Sequence, residues 1–126
     1  MLDTSILIDY FRRTEKAKSR LVSHVMKYDK LYISSITEFE IFNGATEKHQ
    51  QFWKSLLPHF IVLPFASDEA RQSAAIVAQL KRKRKSIDKP DLFIAATAVE
   101  NSLRLDTLNT KHFVHIDALT LLQPDD

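Results

Sequence analysis

The sequence predicts an α/β domain with a mostly parallel central sheet, and three observations carry that expectation. Short apolar runs alternate with longer segments of helical period from one end of the chain to the other. The 126 residues, 44% hydrophobic and 27% charged, suit one ordinary core with no staples. No repeat or linker divides them, so residues 1–126 read as one domain with a frayed acidic tail at 124–126.

The elements follow in order. A strand stub at Met1-Leu2 leads into a helix from about Ser5 to Arg12, with Ile6, Leu7, Tyr10 and Phe11 on its inner side. A second helix is expected over about Glu15 to Lys27, with Ala17, Leu21, Val25 and nearby Met26 on one face. Leu31-Tyr32-Ile33 reads as a strand. The helix after it starts near Ile36, where Ser35 and Glu38 have the spacing of a capping box. It ends at Gly44, a terminator because glycine tolerates positive φ. A helix over about Glu47 to Leu57 precedes a strand at Phe60–Leu63. Ser67 caps a helix with Ala70, Ala74, Val77 and Leu80 on one face, which runs out in Lys81-Arg82-Lys83-Arg84-Lys85. Asp88-Lys89-Pro90-Asp91 opens the next helix, since proline fits only a first turn. Leu103–Leu105 and Leu119–Leu122 close the pattern as short strands.

Composition excludes several kinds of chemistry. The chain has no cysteine, which rules out disulfides and thiolate metal sites. Its one glycine, Gly44, cannot build a glycine-rich phosphate loop. No apolar stretch approaches the ~20 residues of a membrane span. Asp3 stands where a secretory leader carries bases, so a soluble, cytoplasmic protein is expected. A net charge of +2 is too small to argue for nucleic acid by itself.

Four positions offer oxygen ligands, each with a plainer alternative. Asp3 follows a strand, where open α/β sheets place their ligands, yet it also suits a helix cap. Glu40 lies two residues beyond Glu38, beside Ile36, Asn43 and Gly44, on a helix edge that is either buried at a cost or solvated. Asp91 is three residues after Asp88 and would serve as part of a reciprocal cap, or its carboxylate would be carried toward the sheet by the alanine-rich helix behind it. Asp106 or Asn109, in the loop after Leu105, supplies one more oxygen or merely shapes a turn. Hard oxygens converging without His or Cys suit Mg²⁺ or Mn²⁺ and would permit phosphodiester hydrolysis, although spacing alone does not select that reaction.

Four blocks of sequence resemble the PIN-domain ribonucleases, VapC-type toxins of toxin–antitoxin pairs among them. Leu2-Asp3-Thr4-Ser5-Ile6-Leu7-Ile8-Asp9 resembles the family's opening strand, turn and helix. Ile33-Ser34-Ser35-Ile36-Thr37-Glu38-Phe39-Glu40 with Ile41-Phe42-Asn43-Gly44-Ala45 resembles the second block and puts its glutamate at Glu40. Asp91-Leu92-Phe93-Ile94-Ala95-Ala96-Thr97-Ala98 resembles the third, with the acid at Asp91. Thr107-Leu108-Asn109-Thr110-Lys111-His112-Phe113 resembles the last, with Asn109 where the family has Asp or Asn. The resemblance implies a three-layer α/β/α fold around a parallel sheet. It implies Asp3, Glu40 and Asp91 as ligands of one or two Mg²⁺ or Mn²⁺ ions, with Asn109 a fourth, neutral member of the catalytic set. Single-stranded RNA as substrate, a homodimer and a cognate antitoxin complete what it implies. Two departures stand out: little precedes Leu2, and Asn109 replaces a possible fourth carboxylate.

The remaining features have ordinary explanations beside functional ones. The run 81–85 would either track an RNA backbone or simply solvate a helix end. His112 would either assist the site or occupy an exposed turn, and Phe52 and Trp53 suit packing better than base stacking. Two competing functions are a receiver-like phosphoacceptor, which would want paired acids where Asp3 stands alone, and a PIN-like binding module without catalysis.

Overall fold

The computed structural model describes residues 1–123, so the tail at 124–126 lies outside the described residues. Among the described residues six α-helices pack about a parallel sheet: α1 (Thr4–Arg12), α2 (Arg20–Lys27), α3 (Ser35–Gly44), α4 (Glu47–Leu56), α5 (Ser67–Arg82) and α6 (Lys89–Glu100). Strands β1 (Tyr32–Ser34) and β2 (Ile61–Leu63) pair in parallel, with Tyr32 opposite Ile61. The sheet continues through single rungs. Leu2 N donates to Tyr32 O (2.9 Å), and parallel bridges join Leu2 to Asp106 and Leu105 to Leu121. The strands expected at Leu103–Leu105 and Leu119–Leu122 are thus reduced to one bridged position or two each.

Alternate residues along these rows serve opposite layers, as the pleat requires. Leu2 and Ile33 join a core with Ile6, Leu7, Leu21, Ile41 and Trp53 from the first four helices. Leu105 joins a second core with Ile76 and Leu80 of α5 and Ile94, Ala95 and Ala98 of α6. Each fully buried Ile or Leu stabilises the fold by ~1.5–3 kcal/mol. Small residues let α6 lie close: Ala95, Ala96 and Ala98 are completely buried, and its Thr97 hydroxyl reaches that of Ser34 at 3.5 Å.

Several local expectations are corrected. The helix placed at Glu15–Lys27 is a short 3₁₀ turn at Lys16–Lys18 and then α2, because the Ser19 hydroxyl accepts from Val22 N and starts a new helix. Its inner face is Leu21 and His24, whereas Val25 and Met26 are exposed. Ser34, not Ser35, caps α3 by accepting from Ile36 N, and Ser35 instead accepts from Phe65 N beyond β2. Gly44 ends α3 without positive φ. At α5 the cap is Ala66, whose N–H is taken by Glu69 Oε1, so Ser67 is the first helical residue. Trp53 is buried against Phe11 and Phe52, which is packing.

Candidate active site

The starts of α1 and α6 and the middle of α3 meet at one cleft, and each brings a carboxylate. Asp3 occupies the N-cap position of α1 just after the Leu2 rung, held there by its N–H to Asp106 O (2.9 Å). Its side chain does not cap the helix. Instead Asp3 Oδ2 accepts from the hydroxyls of Ser5 and Thr107, both at 2.7 Å. Those hydroxyls accept in turn from Leu108 N (3.0 Å) and Asn109 N (2.9 Å), so the loop after Asp106 is fastened to Asp3.

Glu40, one turn into α3, takes a hydrogen bond on Oε1 from Thr4 (2.7 Å), whose oxygen also lies 3.0 Å from that of Thr37. Asp91 sits in the first turn of α6, which Pro90 fixes, and its Oδ2 lies 3.1 Å from His112 Nδ1. Asp88 likewise makes no side-chain cap bond, so the reciprocal cap of Asp88 and Asp91 does not form. Asp3, Glu40, Asp91 and Asn109 all line one open cleft of about 560 Å³.

Each acid therefore gives one oxygen to a protein donor. Among the described residues no protein group donates to Asp3 Oδ1, Glu40 Oε2 or Asp91 Oδ1. Among the same described residues no Lys or Arg pairs with the three acids. Arg12 and Arg13 stand on the cleft's rim, and Arg13 is taken by Asp9 at 2.9 Å. Burial pushes the Glu40 carboxyl above its usual range; the Thr4 hydrogen bond opposes this, and the charges of Asp3 and Asp91 add to it. Burial likewise raises Asp91, with the charge of Asp3 next in weight and His112 opposing. The three acids thus sense one another as like charges. No three His, Cys, Asp or Glu side chains among the described residues close into a ready-made metal cage.

Asp106, the other candidate for an extra oxygen, is elsewhere. It is buried against α2, with Oδ2 2.6 Å from His24 Nε2 and Oδ1 2.7 Å from Arg20 Nη2. It does not line the acid cleft. The pleat explains the placement: Asp106 points to the layer opposite that of Leu105. Sequence reasoning missed Arg20, His24, Ser5 and Thr107. A signal for the first two existed, since Arg20 and His24 are four apart on one helix face with buried Leu21 between them.

The profile of the PIN domain matches residues 1–119. The chain is a PIN-domain protein. It is 32% identical to Ribonuclease VapC1 of Rickettsia felis over 97% of this chain and 93% of that one. Ribonuclease VapC10 of Mycobacterium tuberculosis is also 32% identical, over 94% of this chain and 89% of its own. Among solved structures, FitAcB from Neisseria gonorrhoeae superposes with a TM-score of 0.81 at 29% identity, covering 98% of this chain and 96% of that chain. The expected PIN fold, α/β with a parallel sheet, is therefore the observed one.

Proposed function

We propose that this PIN-domain protein is the endoribonuclease toxin of a toxin–antitoxin pair, hydrolysing single-stranded RNA with Mg²⁺ or Mn²⁺ in the cleft of Asp3, Glu40 and Asp91. The single observation that carries the site is its pattern of oxygens: three carboxylates line one cleft, each with one oxygen held and one free, and none paired with Lys or Arg. Likeness to ribonucleases of the VapC family supports the reaction, and likeness to a toxin–antitoxin complex from Klebsiella pneumoniae supports the antitoxin partner. A homodimer and a cytoplasmic location belong to the same proposal; among the described residues no helix is long and apolar enough to cross a membrane.

The donor set fits the ion. All the ligands are oxygens, and a hard divalent cation needs only one or two carboxylates plus water, so a closed cage is not required. Asp3, Glu40 and Asp91 would hold it, with Asn109 offering a neutral amide oxygen at the cleft's edge. When bound, the ion supplies Lewis acidity, making water a better nucleophile and offsetting charge on the phosphate. The chain's own residues do the positioning. Ser5 and Thr107 fix the rotation of the Asp3 carboxylate, Thr4 that of Glu40, and His112 that of Asp91.

The test is cleavage of a labelled single-stranded RNA by the purified chain. Activity should require Mg²⁺ or Mn²⁺, stop on chelation and leave 5′-phosphate ends. Activity that survives exhaustive chelation, or 2′,3′-cyclic phosphate products, would contradict it.

A further inference from the structure

Asp91 belongs to two clefts at once. Beyond it, away from Asp3 and Glu40, lies a second depression of about 210 Å³. Ser86 and Asp88 of the α5–α6 connection wall one side, and Lys111, His112 and His115 wall the other. A strand laid across the acids with one phosphodiester at the centre would carry its neighbouring nucleotide into this depression.

The wall bearing the imidazoles is built rather than loose. Phe113 and Ile116 anchor it in the core. Gln79 of α5 donates to His115 O (3.0 Å) and accepts from Asp117 N (3.1 Å), and Lys83 pairs with Asp117. Lys83 is thereby committed to holding this loop, and Lys81 and Arg82 do not line the depression. Lys111 does line it and has no ion-pair partner among the described residues. Asp91 is assigned to the ion, which leaves the exposed Asp88 as the opposing charge in the depression.

We propose that this depression is a phosphate subsite for the RNA strand, seating the phosphodiester next to the one cleaved, with Lys111 and His115 as its donors. The subsite rests on the ribonuclease function proposed for the acid cleft. It makes the loop after Asn109, not the conspicuous basic run 81–85, the chain's grip on flanking RNA.

A non-cleaving Asp3→Asn parent, altered at an acid that does not line the depression, allows binding to be read without turnover. Anisotropy of a labelled single-stranded RNA across a salt series would be compared for the parent, for Lys111→Ser with His115→Ser, and for Lys81→Ser with Arg82→Ser. All four positions are exposed, and circular dichroism checks that each variant folds. The first pair should weaken binding several-fold and shrink the slope of log affinity against log salt by about 0.7 for the lost lysine contact. The second pair should match the parent. In the cleaving background, Lys111→Ser with His115→Ser should raise KM and leave kcat nearly unchanged. Equal behaviour of the two pairs, or a loss confined to the basic run, overturns the subsite and leaves the ribonuclease proposal standing. A parent that binds no RNA overturns both.

Discussion

Two sets of acids flank the same strand ends, and the chain satisfies them in opposite ways. Asp106 faces α2, where its Oδ2 lies 2.6 Å from His24 Nε2 and its Oδ1 forms an ion pair with Arg20 at 2.7 Å. Asp3, Glu40 and Asp91 face the cleft and are held by three hydroxyls and one imidazole, one oxygen each, with no Lys or Arg in contact. The two sets come within one residue of each other, since Thr107 holds Asp3 while its neighbour Asp106 holds α2. The difference separates stability from function. A buried acid with its partners in place is closed, and removing one partner is costly. Like charges gathered without a Lys or Arg beside them are unfavourable by themselves, which suits them to the cation proposed above.

Either set of acids can be removed on its own. The largest expected effect is on the cleft: Asp91→Asn should lower RNA cleavage at least about 100-fold, the upper end of what changes outside the ligand set produce. A single-turnover assay at saturating Mn²⁺ checks it, and near-normal cleavage would return Asp91 to a helix-start role. On the other side, Asp106→Ala leaves Arg20 and His24 without their acid and should cost about 3 kcal/mol of stability. Arg20 is partly exposed at 32%, which places the loss at the low end of the usual range for a broken buried pair. Denaturant midpoints measure it, and an unchanged midpoint would mean that the pair contributes nothing.

Smaller effects sharpen the boundary. Thr107→Val removes one of the two hydroxyls on Asp3 and should weaken Mn²⁺ binding about 10–100-fold. Calorimetric titration reads this directly, and unchanged affinity would show that Asp3 needs no outer support. The smallest effect is on pH dependence. Glu40 and Asp91 are raised, so the folded chain keeps protons on them where the unfolded chain has released them. Their contribution to stability therefore falls as pH rises from the ordinary carboxylate range through the raised values, and is level above that. Metal binding should strengthen over the same window, because the ion needs the ionised form. Melts of metal-free wild type and Asp91→Asn across pH should diverge in favour of the variant as pH rises. Parallel curves would remove the charge argument.

What was legible in the sequence follows the range of each interaction. The alternation of apolar runs was enough for the α/β class, and Pro90 fixed the start of α6, because both signals are local. The starts of α2 and α3 escape the local pattern: Ser19 begins α2 anew within an apparently continuous helix, and at α3 only the tertiary contact of Ser35 with Phe65 N decides for Ser34 over its neighbour. Val25 was expected inside because its spacing from Leu21 is helical, yet Asp106 draws His24 inward and turns that face. Asp3, Glu40, Asp91 and Asn109 could be named from four short blocks and do share a cleft. The hydroxyls that hold them were invisible, since Ser5 and Thr107 are 102 residues apart and meet only through the fold.

If the proposed ion sits among the cleft acids, they are held together at a cost to the metal-free fold. Thermal melts of wild type and Asp91→Asn, each with and without Mn²⁺, test it most directly. Wild type should gain stability with Mn²⁺ by mass action, and the variant should gain clearly less. Without metal the variant should melt at or above wild type, because a like charge is gone. If the two proteins melt alike under both conditions, Asp91 holds no ion and the account of the cleft is wrong.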